Sequence, residues 1–194
     1  MKADNKIFTI SNCLSAFRLL LALPIWYALD NYHDAYFQKL ALILCLIAAA
    51  TDYLDGHYAR KRNEITELGK IIDPLADKIL IGLIAIKLYL NGEVSGYFVL
   101  IILLRDLIIF IGGVILSIKL KRVLPSNRLG KITVTVIGIV FLFIIGGFNK
   151  NHVFFGFLYY LSILLVYASL VGYLIRAIEF IKKSNQNEHL QQSA

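Results

Sequence analysis

The sequence predicts an all-α integral membrane protein with six transmembrane helices and both termini in the cytoplasm. Three observations predict it. Of 194 residues, 58% are hydrophobic and 17% charged, with a mean hydropathy of +0.70, whereas a soluble domain carries about a quarter charged residues. Six apolar runs are each long enough for a helix to cross a bilayer core, which takes about 20 residues. The basic residues between those runs fall almost entirely on one side. This balance excludes a soluble domain, a disordered chain and a disulfide-built module; Cys13 and Cys45 lie inside apolar runs and read as small buried hydrophobes. A formal charge of +7 would suit nucleic acid only on a soluble fold with a basic patch, so no nucleic-acid partner is expected.

The first run covers Ile10 to Leu29. Lys2 and Lys6 precede it as in a signal peptide, but Arg18 interrupts it and no small-residue cleavage site follows, so it reads as a retained span. The second covers Phe37 to Ala59 and turns polar at Thr51, which predicts a helix running past the hydrocarbon. Pro74 to Leu90, Gly96 to Ile118, Gly130 to Phe148 and Val153 to Ile181 complete the set. In the third, Asp73 suits an N-cap and Pro74 a first turn. Residues 1–183 read as one membrane domain, and 184–194 as a frayed polar tail. No internal repeat of the transporter kind is seen.

With the N-terminus inside, 16 of the 20 Lys and Arg fall on the cytoplasmic side, only Lys39, Lys87 and Lys150 fall opposite, and Arg105 lies within the fourth span. Positive loops stay cytoplasmic, and an odd number of spans would destroy the segregation. A multi-pass protein of the cell membrane is the expectation.

Chemistry concentrates between the second and third spans. Asp52, Asp55, Asp73 and Asp77 stand at predicted helix ends, spaced i,i+3 and i,i+4, so each pair shares a helix face. Four carboxylates beside hydrocarbon need compensation. Ion pairs with Arg60, Arg62, Lys70 and Lys78 are the bland explanation. Divalent cations are the other, and hard oxygen ligands without Cys or clustered His favour Mg, Mn or Ca over Zn. Gly56 and Ala59 give the carboxylate helix a small-residue face that admits a substrate or a neighbouring helix.

The segment is similar to the signature of the CDP-alcohol phosphatidyltransferase family: D, two residues, DG, two residues, AR, eight residues, G, three residues, D, three residues, D. Asp52, Asp55, Gly56, Ala59, Arg60, Gly69, Asp73 and Asp77 satisfy every fixed position and gap. The resemblance implies a metal-dependent transfer of a phosphatidyl group from CDP-diacylglycerol to an alcohol, in a site at the cytoplasmic helix ends. It implies that Asp52, Asp55 and Asp73 hold one Mg2+ or Mn2+ ion, that Asp52, Asp73 and Asp77 hold a second, and that Asp77 is the general base. Gly56, Ala59, Arg60, Thr66 and Gly69 would bind CDP-diacylglycerol. The N-terminal TISNCLSAFR resembles the family's entry segment, with Asn12 and Arg18 framing the nucleotide. The resemblance also implies homodimers.

The acceptor alcohol rests on a second basic group. Arg105, in mid-span, needs a polar cavity or a counter-charge; successive helical residues point about 100° apart, so a cavity is expected rather than a bond to adjacent Asp106. Arg128 and Lys131, in a stretch S-x-x-x-G-K-x-T with Ser126, Gly130 and Thr133, resemble the corresponding region of the family's phosphatidylglycerophosphate synthases. With Arg105 they would bind an acceptor phosphate, that of glycerol 3-phosphate first. The stretch LLRDL carries Arg-Asp where those synthases carry Arg-Glu, and it resembles the cardiolipin synthases as well. Phosphatidylglycerol or an inositol phosphate therefore stay open as acceptors. A divalent-cation transporter is the competing class; it calls for acidic residues spread across the bilayer depth, whereas these gather at one interface.

Overall fold

The computed structural model describes the backbone of residues 10–62, 69–120 and 128–192, with side chains over 13–52, 75–116, 128–180 and 182. Among these the chain is all helical, with six helices: α1 (Ile10–Asp30), α2 (Ala35–Arg62), α3 (Gly69–Leu90), α4 (Gly96–Leu120), α5 (Arg128–Ile145) and α6 (Val153–Gln192). Five of them, all but α3, contain described stretches long and apolar enough to cross a membrane. Leu20, Leu23, Tyr160 and Leu164 are exposed on helices whose other faces are buried. A helix apolar all round belongs in lipid, and this is a multi-pass membrane protein.

The helix ends follow from local chemistry. Asp34 accepts from the Tyr36 amide at 2.8 Å and Ser95 from the Phe98 amide at 3.2 Å, so each N-cap satisfies an orphan donor. α3 and α5 end in the same way. The amides of Gly92 and Glu93 donate to the carbonyls of Tyr89 and Leu88, and those of Gly147 and Phe148 to Ile144 and Phe143. Gly92 and Gly147 both hold φ 73°, the left-handed C′ position that only glycine adopts at no steric cost. Phe143 and Phe148 then pack with ring centroids 4.9 Å apart and planes tilted by 47°, the apolar contact that accompanies such a cap.

Three boundaries differ from expectation. α3 begins at Gly69 rather than Pro74, so Asp73 is helical instead of an N-cap; the proline forfeits one backbone bond, and Asp73 keeps its i,i+4 register with Asp77. α5 stops at Ile145 rather than Phe148, because the Gly146–Gly147 pair closes the cap. α6 continues through the polar 184–192 segment to Gln192, where side chains without β-branching favour extension. Cys13 is exposed, not buried.

The chain forms two compact units, residues 1–99 with 141–149, and residues 100–140 with 150–194. In the first, α1 packs against both α2 and α3, burying Ile25, Ala28, Leu29, Ala41, Ala85 and Leu88. Pro24 lies inside α1 and removes one hydrogen bond there. At the C-terminal end of α1, side chains take up orphan carbonyls: Asn91 donates to the Leu29 carbonyl at 2.7 Å and Asn31 to that of Tyr27 at 3.0 Å. Gln38 donates to the Tyr32 hydroxyl, which donates to the Ile144 carbonyl at 2.6 Å. In the second unit, Ile137, Val140 and Val166 are buried, and Thr133 donates to the Leu129 carbonyl of its own helix at 2.7 Å.

Candidate active site

Asp52 lies on α2 and Asp77 on α3. Twenty-five residues apart in sequence, they meet on one cation. Arg18 of α1 bonds through Nη1 to Asp77 Oδ1 and lies with Nη2 3.3 Å from Asp52 Oδ1. The guanidinium is 2% exposed, the Asp52 and Asp77 side chains 56% and 37%. Arg18 therefore supports the carboxylates from the protein side while their outer faces stay accessible. Thr51 donates to the Ala48 carbonyl at 2.8 Å, so its hydroxyl finds a partner within the helix where the run turns polar.

The sequence reading brought Asp52 and Asp77 together by motif, and the structure brings them together by geometry. Asp55, Gly56, Ala59 and Arg60 lie on the α2 backbone and Gly69 and Asp73 on that of α3, with side chains outside those described; Thr66 falls wholly outside. The expectation for Arg18, a place beside the nucleotide, missed its contact with the carboxylates. The available signal was an arginine interrupting an apolar run, which demands a counter-charge.

A second ion pair ties the same helices at their other end. Lys87 of α3 is buried, bonds to Asp30 of α1 and lies 5.0 Å from the centre of the Trp26 ring. From Arg18 to Asp30 is twelve residues, about 18 Å of helix, and from Asp77 to Lys87 ten, about 15 Å. Two bridges of such matched spacing hold α1 and α3 parallel. Near that end, burial pushes the Tyr32 phenol above its ordinary value, opposed by the bond from Gln38 and reinforced by the charge of Glu93.

In the second unit Arg105 is buried, and the cavity-facing expectation is overturned. Its Nη1 bonds to Asp106, its Nε donates to Ser169 Oγ at 3.0 Å and its Nη2 to the Gly130 carbonyl at 3.3 Å. A long guanidinium can curl back to the next residue despite the 100° step, and burial rewards any counter-charge within reach. Arg128 and Lys131 stand exposed on the first turn of α5, three residues apart and so on one face. Arg105 holds that turn through Gly130.

Two carboxylates from different helices converge on one guanidinium; among the described residues no group of three or more His, Cys, Asp or Glu side chains gathers that could hold a metal ion. The family model described as CDP-alcohol phosphatidyltransferase matches residues 8–174. A Mycoplasma genitalium protein named CDP-diacylglycerol--glycerol-3-phosphate 3-phosphatidyltransferase is 32% identical, over 91% of this chain and 86% of that protein. One of the same name from Aquifex aeolicus is 31% identical, over 90% of this chain and 98% of its own length. Another from Bacillus subtilis is 39% identical over 46% of each chain. This chain belongs to the CDP-alcohol phosphatidyltransferase family and is a transferase enzyme.

Proposed function

We propose that the protein transfers the phosphatidyl group of CDP-diacylglycerol to glycerol 3-phosphate and releases CMP, at the cytoplasmic face of the cell membrane. The observation that carries this reading is the meeting of Asp52 and Asp77 on Arg18 at two fixed positions of the family signature. The names of the full-length relatives favour glycerol 3-phosphate over the other alcohols.

The family is generally dependent on a divalent metal. Two Mg2+ or Mn2+ ions would be held by Asp52, Asp55 and Asp73 and by Asp52, Asp73 and Asp77; bound there, they would neutralise the pyrophosphate and stabilise departing CMP. The remaining work belongs to the chain. Asp77 takes the proton of the acceptor hydroxyl, whose oxygen bonds to the β-phosphorus as the bond from that phosphorus to CMP breaks. Gly56 and Ala59 would leave room for the cytidine diphosphate group of the bound substrate, Arg60 and Thr66 would bond to its pyrophosphate, and Gly69 would complete the set that binds CDP-diacylglycerol. Arg128 and Lys131 bind the acceptor phosphate as charged donors. Arg105 serves them by holding the turn that carries them. The diacylglycerol tails stay in lipid, which is why the chemistry belongs at helix ends.

The same reading takes α3 as the sixth span with both termini inside. Its support is the pair of bridges that lay α3 along α1, a helix of spanning length.

The test is product identity. Purified protein given CDP-diacylglycerol, Mg2+ and glycerol 3-phosphate should form phosphatidylglycerophosphate. Product formed instead only from phosphatidylglycerol or an inositol phosphate would contradict the acceptor assignment.

A further inference from the structure

Arg18 lies outside the motif, on α1, yet it is among the largest fully buried side chains of the described residues and touches two carboxylates of the motif. A buried arginine in a membrane helix is costly unless anions compensate it, and it does not shed its charge, because a guanidinium stays protonated at any accessible pH. It bonds to Asp77 Oδ1 and lies 3.3 Å from Asp52 Oδ1, and approaches from the buried side while the carboxylates remain open outward.

We propose that Arg18 is a positioning residue that competes with divalent cations for Asp52 and Asp77. Resting on the metal reading above, it gathers the two carboxylates before an ion arrives and yields them as the ion binds. A fixed positive charge at contact distance from an arriving dication is repulsive, so the guanidinium weakens metal binding while it removes the mutual repulsion of the aspartates. It also engages Asp77, the proposed base.

Titration of Mn2+ into the purified full chain, with free Mn2+ read by electron paramagnetic resonance and stability by thermal melting, tests this without turnover. Arg18→Gln should bind Mn2+ about tenfold more tightly than the unaltered protein, a change of about 1.4 kcal/mol. Its melting temperature in chelator should fall, and saturating Mn2+ should close the gap. Equal or weaker binding by Arg18→Gln, or an unchanged melting temperature in chelator, overturns the proposal. Should Arg18→Gln not survive purification, Arg18→Lys serves: one ammonium cannot reach both carboxylates as a fork does, so affinity should rise, by less, and no rise overturns the proposal. Failure of the unaltered protein to bind Mn2+ at all, while Arg18→Gln also fails, would overturn the metal reading itself and the competition with it.

Discussion

Among single side chains, the proposed chemistry rests on Asp52 and Asp77, carboxylates from two helices that share the buried Arg18 of a third. The spacing of Asp52, Asp55, Asp73 and Asp77 was visible in the sequence because a helix converts i,i+3 and i,i+4 into a shared face. The partner that draws two of them together was not, since Arg18 is 34 residues upstream of Asp52 and only packing brings it there. Asp77→Asn should reduce turnover by at least a hundredfold, the scale of a general base, while CDP-diacylglycerol still binds; full activity in a CMP-release assay would refute the base assignment. Arg105 was misjudged because backbone geometry alone cannot show how far a guanidinium bends. Arg105→Ala leaves the half-buried Asp106 and the buried Ser169 beside a void, and should cost about 3 kcal/mol, read as a lower melting temperature in detergent; an unchanged temperature would remove Arg105 from its supporting role. Tyr32 sets a pH limit. Because its phenol is raised in the fold, its contribution is complete below the ordinary value of 10.0 and is lost as pH climbs through the higher, folded value. Tyr32→Phe should remove that alkaline loss in melting curves taken above pH 10.

At the scale of elements, the sequence read well wherever apolar length dominates and poorly where an end depends on a few polar contacts. The second and fourth runs anticipated α2 and α4 within three residues, and Ile10 and Val153 were the starts found for α1 and α6. The end of α5 was missed because Gly146 and Gly147 sit inside a run whose hydropathy continues to Phe148. Two glycines of that helix region now separate cap from filler. A methyl group at Gly147 would lie 2.8 Å from Gln38 Nε2 at a left-handed φ, whereas one at Gly138 meets nothing within 4 Å. Gly147→Ala should therefore destabilise by about 1–2 kcal/mol, and Gly138→Ala should be neutral or stabilising by up to about 1 kcal/mol. Thermal melting of the two variants side by side checks the contrast, and a reversed order would contradict the cap.

For the whole molecule, the charge segregation read from sequence and the parallel bridges between α1 and α3 support one topology from independent directions. In the proposed topology Arg18 and Asp77 lie toward the basic side, Asp30 and Lys87 toward the other. That arrangement would hold the motif at the surface where a soluble phosphorylated alcohol meets a lipid-linked nucleotide. What sequence could not supply was the division into two compact units, because it depends on which parts of α4 and α5 pack with which neighbours. The account stands most directly on CMP release from CDP-diacylglycerol with glycerol 3-phosphate. We expect release to depend on that acceptor, to cease when a chelator removes divalent ions, and to return when Mg2+ or Mn2+ is restored. Release that continues unchanged in chelator, or that never occurs with the folded protein, would contradict it.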